Sequence, residues 1–340
     1  MQWPDILGRL ASGTDLTRED ARAAMAEIMH GQATAAQIAA FIVSLRIKGE
    51  TVDEMTGLVE AMKEAAVTVD VGDDIVDIVG TGGDRHGTFN ISTTASFVAA
   101  GAGVVVAKHG NRSASSKCGS ADVLEALGLV LDLQPDRMAT LIEETGFGFF
   151  FAPRYHPAMR FAGPVRKELG IPTVFNFLGP LANPAGAKRQ SIGVSDGKMA
   201  ERMIGVLQRL GSRYAFVVHG EDGLDEITLT GPTYIHRLIE GEITHAEFTP
   251  EDFGVARASL DELLGGEVEE NVAITNDILA GRTGPKRDAA VINAAPAIVA
   301  AGLARGFLEA VDLANESVDS GKARGVLERA VERSHELAGD

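Results

Sequence analysis

The chain has 340 residues, a formal net charge of −17 at pH 7, 45% hydrophobic residues and 23% charged residues. This length allows two domains with buried cores, and the composition is that of an ordinary globular protein. The negative charge disfavours nucleic acid as a partner, because the Lys and Arg residues are scattered along the chain. No apolar run reaches the ~18 residues of a membrane helix, so no membrane partner is expected. The single Cys118 excludes an intramolecular disulfide and a cysteine-based zinc site, and the first ten residues are not a secretion signal. Both features predict a cytoplasmic location.

The first 70 residues have the pattern of helices. A Thr precedes an Asp, Gln or Glu by three positions in three potential capping boxes: Thr17 with Asp20, Thr34 with Gln37, and Thr51 with Glu54. Gly31 and Gly49 stand where C-caps belong. Inside the third helix, apolar residues recur at helical spacing: Met55, Leu58, Val59 and Met62. We interpret this region as a small helical domain for packing or oligomerisation, without chemistry of its own.

From residue 74 onward, strands and helices alternate on short connections. DIVDIV, VVVAKHG, LVLDL, FGFFFAP, RYAFVVHG and DEITLTG have strand patterns, and helical patterns separate the first four. TYIHRLIEGEITHAEF predicts a hairpin that turns at Glu240-Gly241, and the chain is helical again from about residue 259. The alternation predicts an α/β domain with a mostly parallel central sheet.

A glycine-rich loop, GTGGDRHGTFNIST, follows the first predicted strand and precedes a helix. Glycines allow positive φ and a close approach of backbone amides to a ligand, and the helix start adds partial positive charge. Asn90, Ser92 and Thr93 add side-chain hydrogen-bonding groups. The pattern is neither the dinucleotide fingerprint nor the Walker P-loop. It predicts a phosphate-binding loop, with a Gly-rich turn and an ordinary N-cap as the alternative.

A second loop, KHGNRSASSKCGSAD, has the same place between a strand and a helix. It carries three cations and four serines: Lys108, Arg112, Lys117, Ser113, Ser115, Ser116 and Ser120. Cations and small polar residues suit a polyanion, whereas a solvated basic loop is the alternative. Because the loops after neighbouring parallel strands lie at the same edge of a sheet, the two loops together favour phosphate binding.

Two further segments contain candidate site residues. In HGEDGLDEIT, the acids Asp222, Asp225 and Glu226 cluster after a strand, and burying such carboxylates together requires a cation such as Mg²⁺. An acidic surface turn is the alternative. The segment from residue 154 offers three side chains that could bind an anion or be structural: His156, Arg160 and Arg166.

Five motifs occur in one order along nearly the whole chain: GTGGD with TFNIST, KHGNRSASSKCGSADVLEALG, HPAMRFAGPVRKELG, FNFLGPLANP and DGLDE. Together they resemble the anthranilate phosphoribosyltransferases, a family of tryptophan-pathway enzymes. The resemblance implies transfer of the phosphoribosyl group of phosphoribosyl pyrophosphate (PRPP) to the amine of anthranilate, with Mg²⁺ and without a covalent nucleophile. It implies a homodimer, a small helical domain at 1–70 completed by part of 160–190, and a large α/β catalytic domain at 71–340.

The resemblance also implies which residues form the site. Two Mg²⁺ ions per subunit are expected at Ser92, Asp225 and Glu226, and anthranilate is expected at Gly80, Asn111 and Arg166. His109 is a candidate proton shuttle or a structural residue. PRPP is expected to contact residues of both loops: Gly80, Gly83, Asp84, Thr88, Asn90, Ile91, Ser92, Thr93, Lys108, His109, Gly110, Asn111, Arg112, Ser113, Ala114, Ser115, Ser116 and Ser120.

One dipeptide departs from the family pattern, because Arg85-His86 follows GTGGD where the family often has Gly. Two other function classes are weighed against the resemblance. A pyrimidine nucleoside phosphorylase shares the general architecture, but the acidic DGLDE cluster fits a substrate of pyrophosphate and Mg²⁺ better. A non-catalytic relative that binds nucleic acid should be basic and should lack parts of these loops.

Overall fold

The N-terminal region of the computed structural model, which describes residues 2–113 and 117–339, consists of four helices. They are α1 Trp3–Ala11, α2 Arg18–Met29, α3 Ala35–Lys48 and α4 Val52–Glu64. The capping boxes at Thr34 and Thr51 are complete, as predicted. At Thr17 the hydroxyl accepts from the Asp20 N–H, and the Asp20 carboxylate also forms a salt bridge with Arg9 at 2.6 Å.

The helices α2 and α4 pack closely through a glycine. A Cβ atom at Gly57 would overlap the carbonyl oxygen of Arg18, so only glycine allows the two backbones to approach this far. The predicted apolar side of α4 is buried at all four positions: Met55, Leu58, Val59 and Met62.

Seven strands form one sheet in the order β3-β2-β1-β4-β5-β6-β7. The first five strands pair in parallel, and β6 and β7 form an antiparallel hairpin at the edge. Glu240 and Gly241 both have positive φ, of 47° and 89°, as a tight hairpin turn requires. The strands are β1 Ile75–Gly80, β2 Val105–Gly110, β3 Phe147–Phe151, β4 Arg189–Gly193, β5 Tyr214–Gly220, β6 Thr233–Ile239 and β7 Glu242–Phe248.

Helices cover both faces of the sheet. On one face, α5 and the C-terminal helices form an apolar core with alternate strand residues such as Val76, Ile78 and Phe216. On the other face, α11, segment 162–182 and the N-terminal helices form a second core with Val79 and Val217. The helices are α5 Ile91–Gly101, α6 Ser120–Ala126, α7 Pro135–Thr145, α8 Ala152–Tyr155, α9 Gly163–Leu169, α10 Phe175–Leu178, α11 Gly197–Arg209, α12 Val268–Leu279, α13 Pro285–Ala300, α14 Phe307–Asp319 and α15 Lys322–Gly339.

This architecture confirms the predicted fold class, a small helical region followed by an α/β domain with a mostly parallel sheet. Within residues 2–113 and 117–339, no helix combines the length and the apolar character that crossing a membrane requires.

Two predicted strands are wrong and one strand was missed. Residues 129–133 have buried leucines at alternate positions, but the Val130 N–H donates to the Ser334 hydroxyl instead of to a strand. Residues 225–231 form turns, because the Asp222 carboxylate accepts hydrogen bonds from Thr228 and Thr230. The missed strand is β4, whose sequence RQSIG has no clear alternation of apolar and polar residues.

The strand order determines where a ligand can bind. The chain winds outward from β1 through β2 to β3, and then returns to the other side of β1 with β4 and β5. Ligands of open α/β sheets bind at such a reversal, in the crevice beyond the carboxyl ends of the strands. The glycine-rich loop follows β1 and the basic loop follows β2, so both lie at this edge.

A pair of glycine substitutions tests the packing of α2 against α4. Gly57→Ala should destabilise the protein by about 1–3 kcal/mol, because the new methyl group forces the helices apart. Gly8→Ala is the matched control, since nothing lies within 4 Å of its added Cβ in α1, and it should stabilise by up to about 1 kcal/mol. Urea unfolding followed by circular dichroism measures both. Equal midpoints for the two variants would contradict the packing argument.

Candidate functional site

Three loops meet at the carboxyl ends of β1, β4 and β5. Gly80 at the end of β1 pairs with Gly193 at the end of β4, and the Thr81 N–H donates to the Gly193 carbonyl at 2.9 Å. The Gly82 N–H donates to Asp225 Oδ2 at 2.6 Å, which joins the glycine-rich loop to the acidic loop after β5. The structure therefore brings two of the four predicted segments into direct contact.

Glycines at two strand ends make room for the acidic loop. A Cβ atom at Gly80 would lie 2.5 Å from Asp225 Oδ2, and one at Gly193 would overlap the Asp225 carbonyl oxygen. Beyond Gly80 the loop turns through Gly82 and Gly83, with φ of 67° and 85°. These conformations, which favour glycine, direct the loop across the sheet edge.

The acidic loop places two carboxyl groups against the start of α5. Asp225 is buried, and burial together with the neighbouring Asp84 raises its pKa. The pKa of Glu226 is raised well above its usual value by burial and by Asp225. Glu226 Oε1 accepts a hydrogen bond of 3.1 Å from the Ser92 N–H at the first turn of α5. The fold thus holds two buried carboxyl groups with raised pKa values side by side at the start of α5.

The donor set fits a hard divalent cation. Asp225, Glu226 and the Ser92 hydroxyl offer oxygen ligands, which Mg²⁺ prefers, and a cation would offset the burial and the repulsion that raise both pKa values. Among residues 2–113 and 117–339, no group of three or more His, Cys, Asp or Glu side chains is arranged as a metal cage. Mg²⁺ commonly takes its remaining oxygens from water and substrate phosphates, so a site with few protein ligands suits it.

Lys108 contributes buried positive charge behind this site. Its Nζ donates to the Ile78 carbonyl and lies 3.4 Å from the Ser92 hydroxyl. Burial lowers the pKa of Lys108 to about 8, against the opposing effect of Asp77 and Glu226. The lysine therefore binds the strand and helix start, rather than extending into solvent as a free loop cation would.

His109 and His156 form a buried pair beside the loops, with ring centroids 5.0 Å apart. Burial lowers the pKa of His109 to about 3 and that of His156 to about 4, so both rings are neutral at pH 7. His109 Nδ1 lies 3.1 Å from the Gly179 carbonyl, and a carbonyl can only accept, so the proton is on Nδ1. The Nε2 atoms of both rings have no hydrogen-bond partner among the described residues.

Asp77 holds this region together and was missed in the sequence. Its Oδ1 accepts from the His109 N–H at 3.0 Å, and its Oδ2 accepts from Asn183 Nδ2 at 2.8 Å. Asn183 also donates to the Ala107 carbonyl at 2.8 Å. Burial raises the pKa of Asp77 to about 6. The available signal was an acid in the middle of the apolar strand IVDIVG, where an unpartnered carboxylate would be costly.

The basic loop is held by acids of its own chain. Arg112 forms 2.8 Å salt bridges with Asp122 and Glu125, and its guanidinium stacks over the Phe151 ring. Arg112, one of the cations predicted to bind phosphate, is therefore already paired with two carboxylates. Other contacts join the Ser120 hydroxyl to the Asn111 carbonyl, and the Ser113 N–H to Asp122. The predicted ligands Ala114, Ser115 and Ser116 lie outside the described residues.

The remaining residues of the first loop differ in what they offer. Ile91 is buried among apolar residues, so only its backbone could contact a ligand. Asn90 Oδ1 and Thr93 Oγ1 are buried without a partner among the described residues, while Asn90 Nδ2 donates to the Cys118 carbonyl at 3.2 Å. Thr88 forms an isolated bridge with Leu264. Gly110 is closely packed, since a Cβ there would meet Ser120 and Phe149.

Arg166 lies on α9, apart from these contacts. Its guanidinium stacks over the Phe175 ring at 5.3 Å, and burial lowers its pKa. Within the described residues, Arg166 forms no salt bridge, and no hydrogen bond joins it to Gly80 or Asn111. The half-buried cation is thus available to an anionic ligand, although the structure does not link the three residues predicted to contact anthranilate.

The chain matches two family models that together span most of its length. Residues 4–66 match the helical bundle domain of the glycosyl transferase family, and residues 72–324 match its α/β domain. The anthranilate phosphoribosyltransferase of Moorella thermoacetica is 52% identical over 96% of this chain and 96% of its own length.

Solved structures of the same enzyme have the same fold. The Thermus thermophilus enzyme aligns with a TM-score of 0.92 and 44% identity, over 97% of this chain and 99% of that chain. The Saccharomyces cerevisiae enzyme in complex with PRPP and Mg aligns with a TM-score of 0.90 and 27% identity, over 98% of both chains. The same yeast enzyme in complex with 4-fluoroanthranilate aligns with a TM-score of 0.88 and 26% identity, again over 98% of both chains. By sequence and by fold, this chain belongs to the anthranilate phosphoribosyltransferase family.

Proposed function

We propose that this protein transfers the phosphoribosyl group of PRPP to the amine of anthranilate, giving N-(5-phosphoribosyl)anthranilate and pyrophosphate in tryptophan synthesis. One observation carries the proposal most directly. A glycine-rich loop and a pair of carboxyl groups with raised pKa values meet at the reversal of a parallel sheet. This arrangement suits an anionic substrate that arrives with a cation.

Each part of the site has a role in the proposed reaction. Apart from the N–H groups of Gly82 and Ser92, which bind Asp225 and Glu226, backbone N–H groups of the glycine-rich loop and the start of α5 would bind phosphate oxygens. Ser92, Asp225 and Glu226 would hold Mg²⁺, which stabilises the negative charge of the departing pyrophosphate. The bond between ribose C1 and the pyrophosphate oxygen breaks and its electron pair leaves with the pyrophosphate. The amine nitrogen bonds to C1 and loses one proton to solvent.

Anthranilate needs positioning more than activation, because its neutral amine is already a nucleophile. We propose that Arg166 binds the carboxylate of anthranilate, and its lack of a salt-bridge partner within the described residues supports this role. His109 is a weak base at a pKa of about 3, which favours a hydrogen-bonding or structural role over a proton shuttle.

The resemblance supports further proposals about the assembly. We propose a homodimer that forms through the N-terminal helices, two Mg²⁺ ions per subunit, a cytoplasmic location, and the division into domains at residue 70. The net charge of −17 supports a protein without a nucleic acid partner. Light scattering tests the dimer. The family membership disfavours both the nucleoside phosphorylase and the nucleic-acid-binding alternatives.

We predict that the protein consumes anthranilate in the presence of PRPP and Mg²⁺. The loss of anthranilate fluorescence measures this activity. The double variant Asp225→Asn, Glu226→Gln should lose this activity, because the two carboxylates that would hold the cation become neutral amides. Glu221→Gln is the matched control, as this exposed acid lies in the same loop. Full activity in the double variant would refute the metal site, and an inactive wild type would refute the function.

Arg166→Ala should lower kcat/KM for anthranilate by about 10- to 150-fold, which corresponds to about 1.5–3 kcal/mol for a charged hydrogen bond. PRPP affinity should change little. Arg160→Ala is the control, because this exposed arginine also stacks on an aromatic ring, that of Phe161 at 4.7 Å. Equal losses for both substrates would contradict the assignment of Arg166 to anthranilate.

The raised pKa values of Asp225 and Glu226 predict a pH dependence of stability in the ligand-free protein. A carboxyl group with a raised folded-state pKa stabilises the fold below its unfolded pKa of about 4, and this contribution is lost as the pH rises through the folded value. The variant Asp225→Asn, Glu226→Gln stays neutral at both positions. Its melting temperature should therefore increase relative to that of the wild type between pH 5 and pH 8. Parallel curves would show that the two groups titrate normally.

A further inference from the structure

His86, half of the dipeptide that departs from the family pattern, contacts the acidic loop. Its Nε2 lies 2.9 Å from the carbonyl oxygen of Asp222, 136 positions along the chain. Because a carbonyl oxygen can only accept, Nε2 must carry the proton and donate it. The imidazole is half-buried, and a Cβ atom at Gly223 would lie 3.5 Å from Nε2, so the ring rests against the turn.

The acceptor of this bond is itself firmly held. Asp222 Oδ2 accepts hydrogen bonds of 2.7 Å from the hydroxyl groups of Thr228 and Thr230. Its Oδ1 accepts from the Leu224 N–H at 3.1 Å, and the Gly220 N–H donates to the Leu224 carbonyl at 3.0 Å. His86 therefore binds to a fixed turn that continues directly into Asp225 and Glu226.

Other hydrogen bonds attach the glycine-rich loop on both sides of its tip. The Gly82 N–H binds Asp225 on one side. On the other side, the Gly87 carbonyl accepts from the Gly265 N–H at 2.9 Å and the Phe89 N–H binds the Leu263 carbonyl at 3.0 Å. Between these attachments, Arg85 has a φ of 63° and an exposed side chain. A residue other than glycine is strained in this left-handed region, so an untethered loop tip would relax toward other conformations.

We propose that His86 is a positioning residue that holds the tip of the glycine-rich loop over the acidic loop. The tether keeps Asp84 and the loop amides facing the same space as Asp225 and Glu226. It therefore increases the affinity for PRPP with Mg²⁺ and has no part in binding anthranilate. The inference rests on the proposed function for its substrate, but the tether itself can be measured without any ligand.

Three variants test the tether. His86→Ala removes it, whereas His86→Gln keeps an N–H donor of similar reach. His335→Ala is the matched control. His335 lies on α15, far from the site in sequence, and its Nε2 also lies 2.9 Å from a backbone carbonyl, that of Gly128. Hydrogen exchange of residues 82–88 is measured in the ligand-free proteins, and the binding of PRPP with Mg²⁺ is measured by calorimetry.

His86→Ala should speed exchange of the loop amides and weaken PRPP binding by about 2- to 12-fold, the effect of one net hydrogen bond. The KM for anthranilate at saturating PRPP should stay unchanged. His86→Gln should restore most of the affinity, and His335→Ala should behave as the wild type.

Unchanged loop exchange and unchanged PRPP affinity in His86→Ala, with an active wild type, would overturn the positioning role. Equal losses for PRPP and anthranilate would also overturn it, since they indicate a general structural effect. A wild type that fails to bind PRPP would instead refute the proposed function, and loop exchange would still report on the tether.

Discussion

The hydrogen bond from the Gly82 N–H to the Asp225 carboxylate is the interaction on which the site depends. It joins loops that are 143 positions apart in sequence. It can form only because Gly80 and Gly193 leave space where strand side chains would otherwise stand. The parallel pairing of β1 with β4 and of β4 with β5 sets the loops at one edge, and this bond sets the spacing between them.

Electrostatics explain why this edge is poised for a ligand. Buried acids and bases are usually paired because isolated charges are costly to desolvate. Here Lys108 offsets part of the negative charge, yet the pKa values of Asp225 and Glu226 remain raised. The two buried carboxyl groups therefore reduce the stability of the ligand-free fold, and a bound cation would increase it. Strain and unfavourable charge are typical of functional sites, where binding provides the compensation.

The sequence was informative where local rules decide structure. Capping at Thr34 and Thr51, the hairpin turn at Glu240-Gly241 and the loop after β1 follow from short-range chemistry. It was uninformative where distant partners decide. Residues 129–133 have a strand pattern, yet the Val130 N–H donates to Ser334 of α15, and β4 lacks the pattern yet fills the gap between β1 and β5. Asp77 was overlooked because its partners, His109 and Asn183, are remote in sequence.

The order of the strands has a consequence for how the chain folds. The central strand β1 acquires its second neighbour, β4, only after more than a hundred further residues have been made. The N-terminal helices likewise share their apolar core with segment 162–182 and α11. Contacts between such distant segments are slow to form, and apolar surface stays exposed until they do. During synthesis, the first helices to leave the ribosome therefore keep part of their apolar surface exposed until segment 162–182 and α11 have been made.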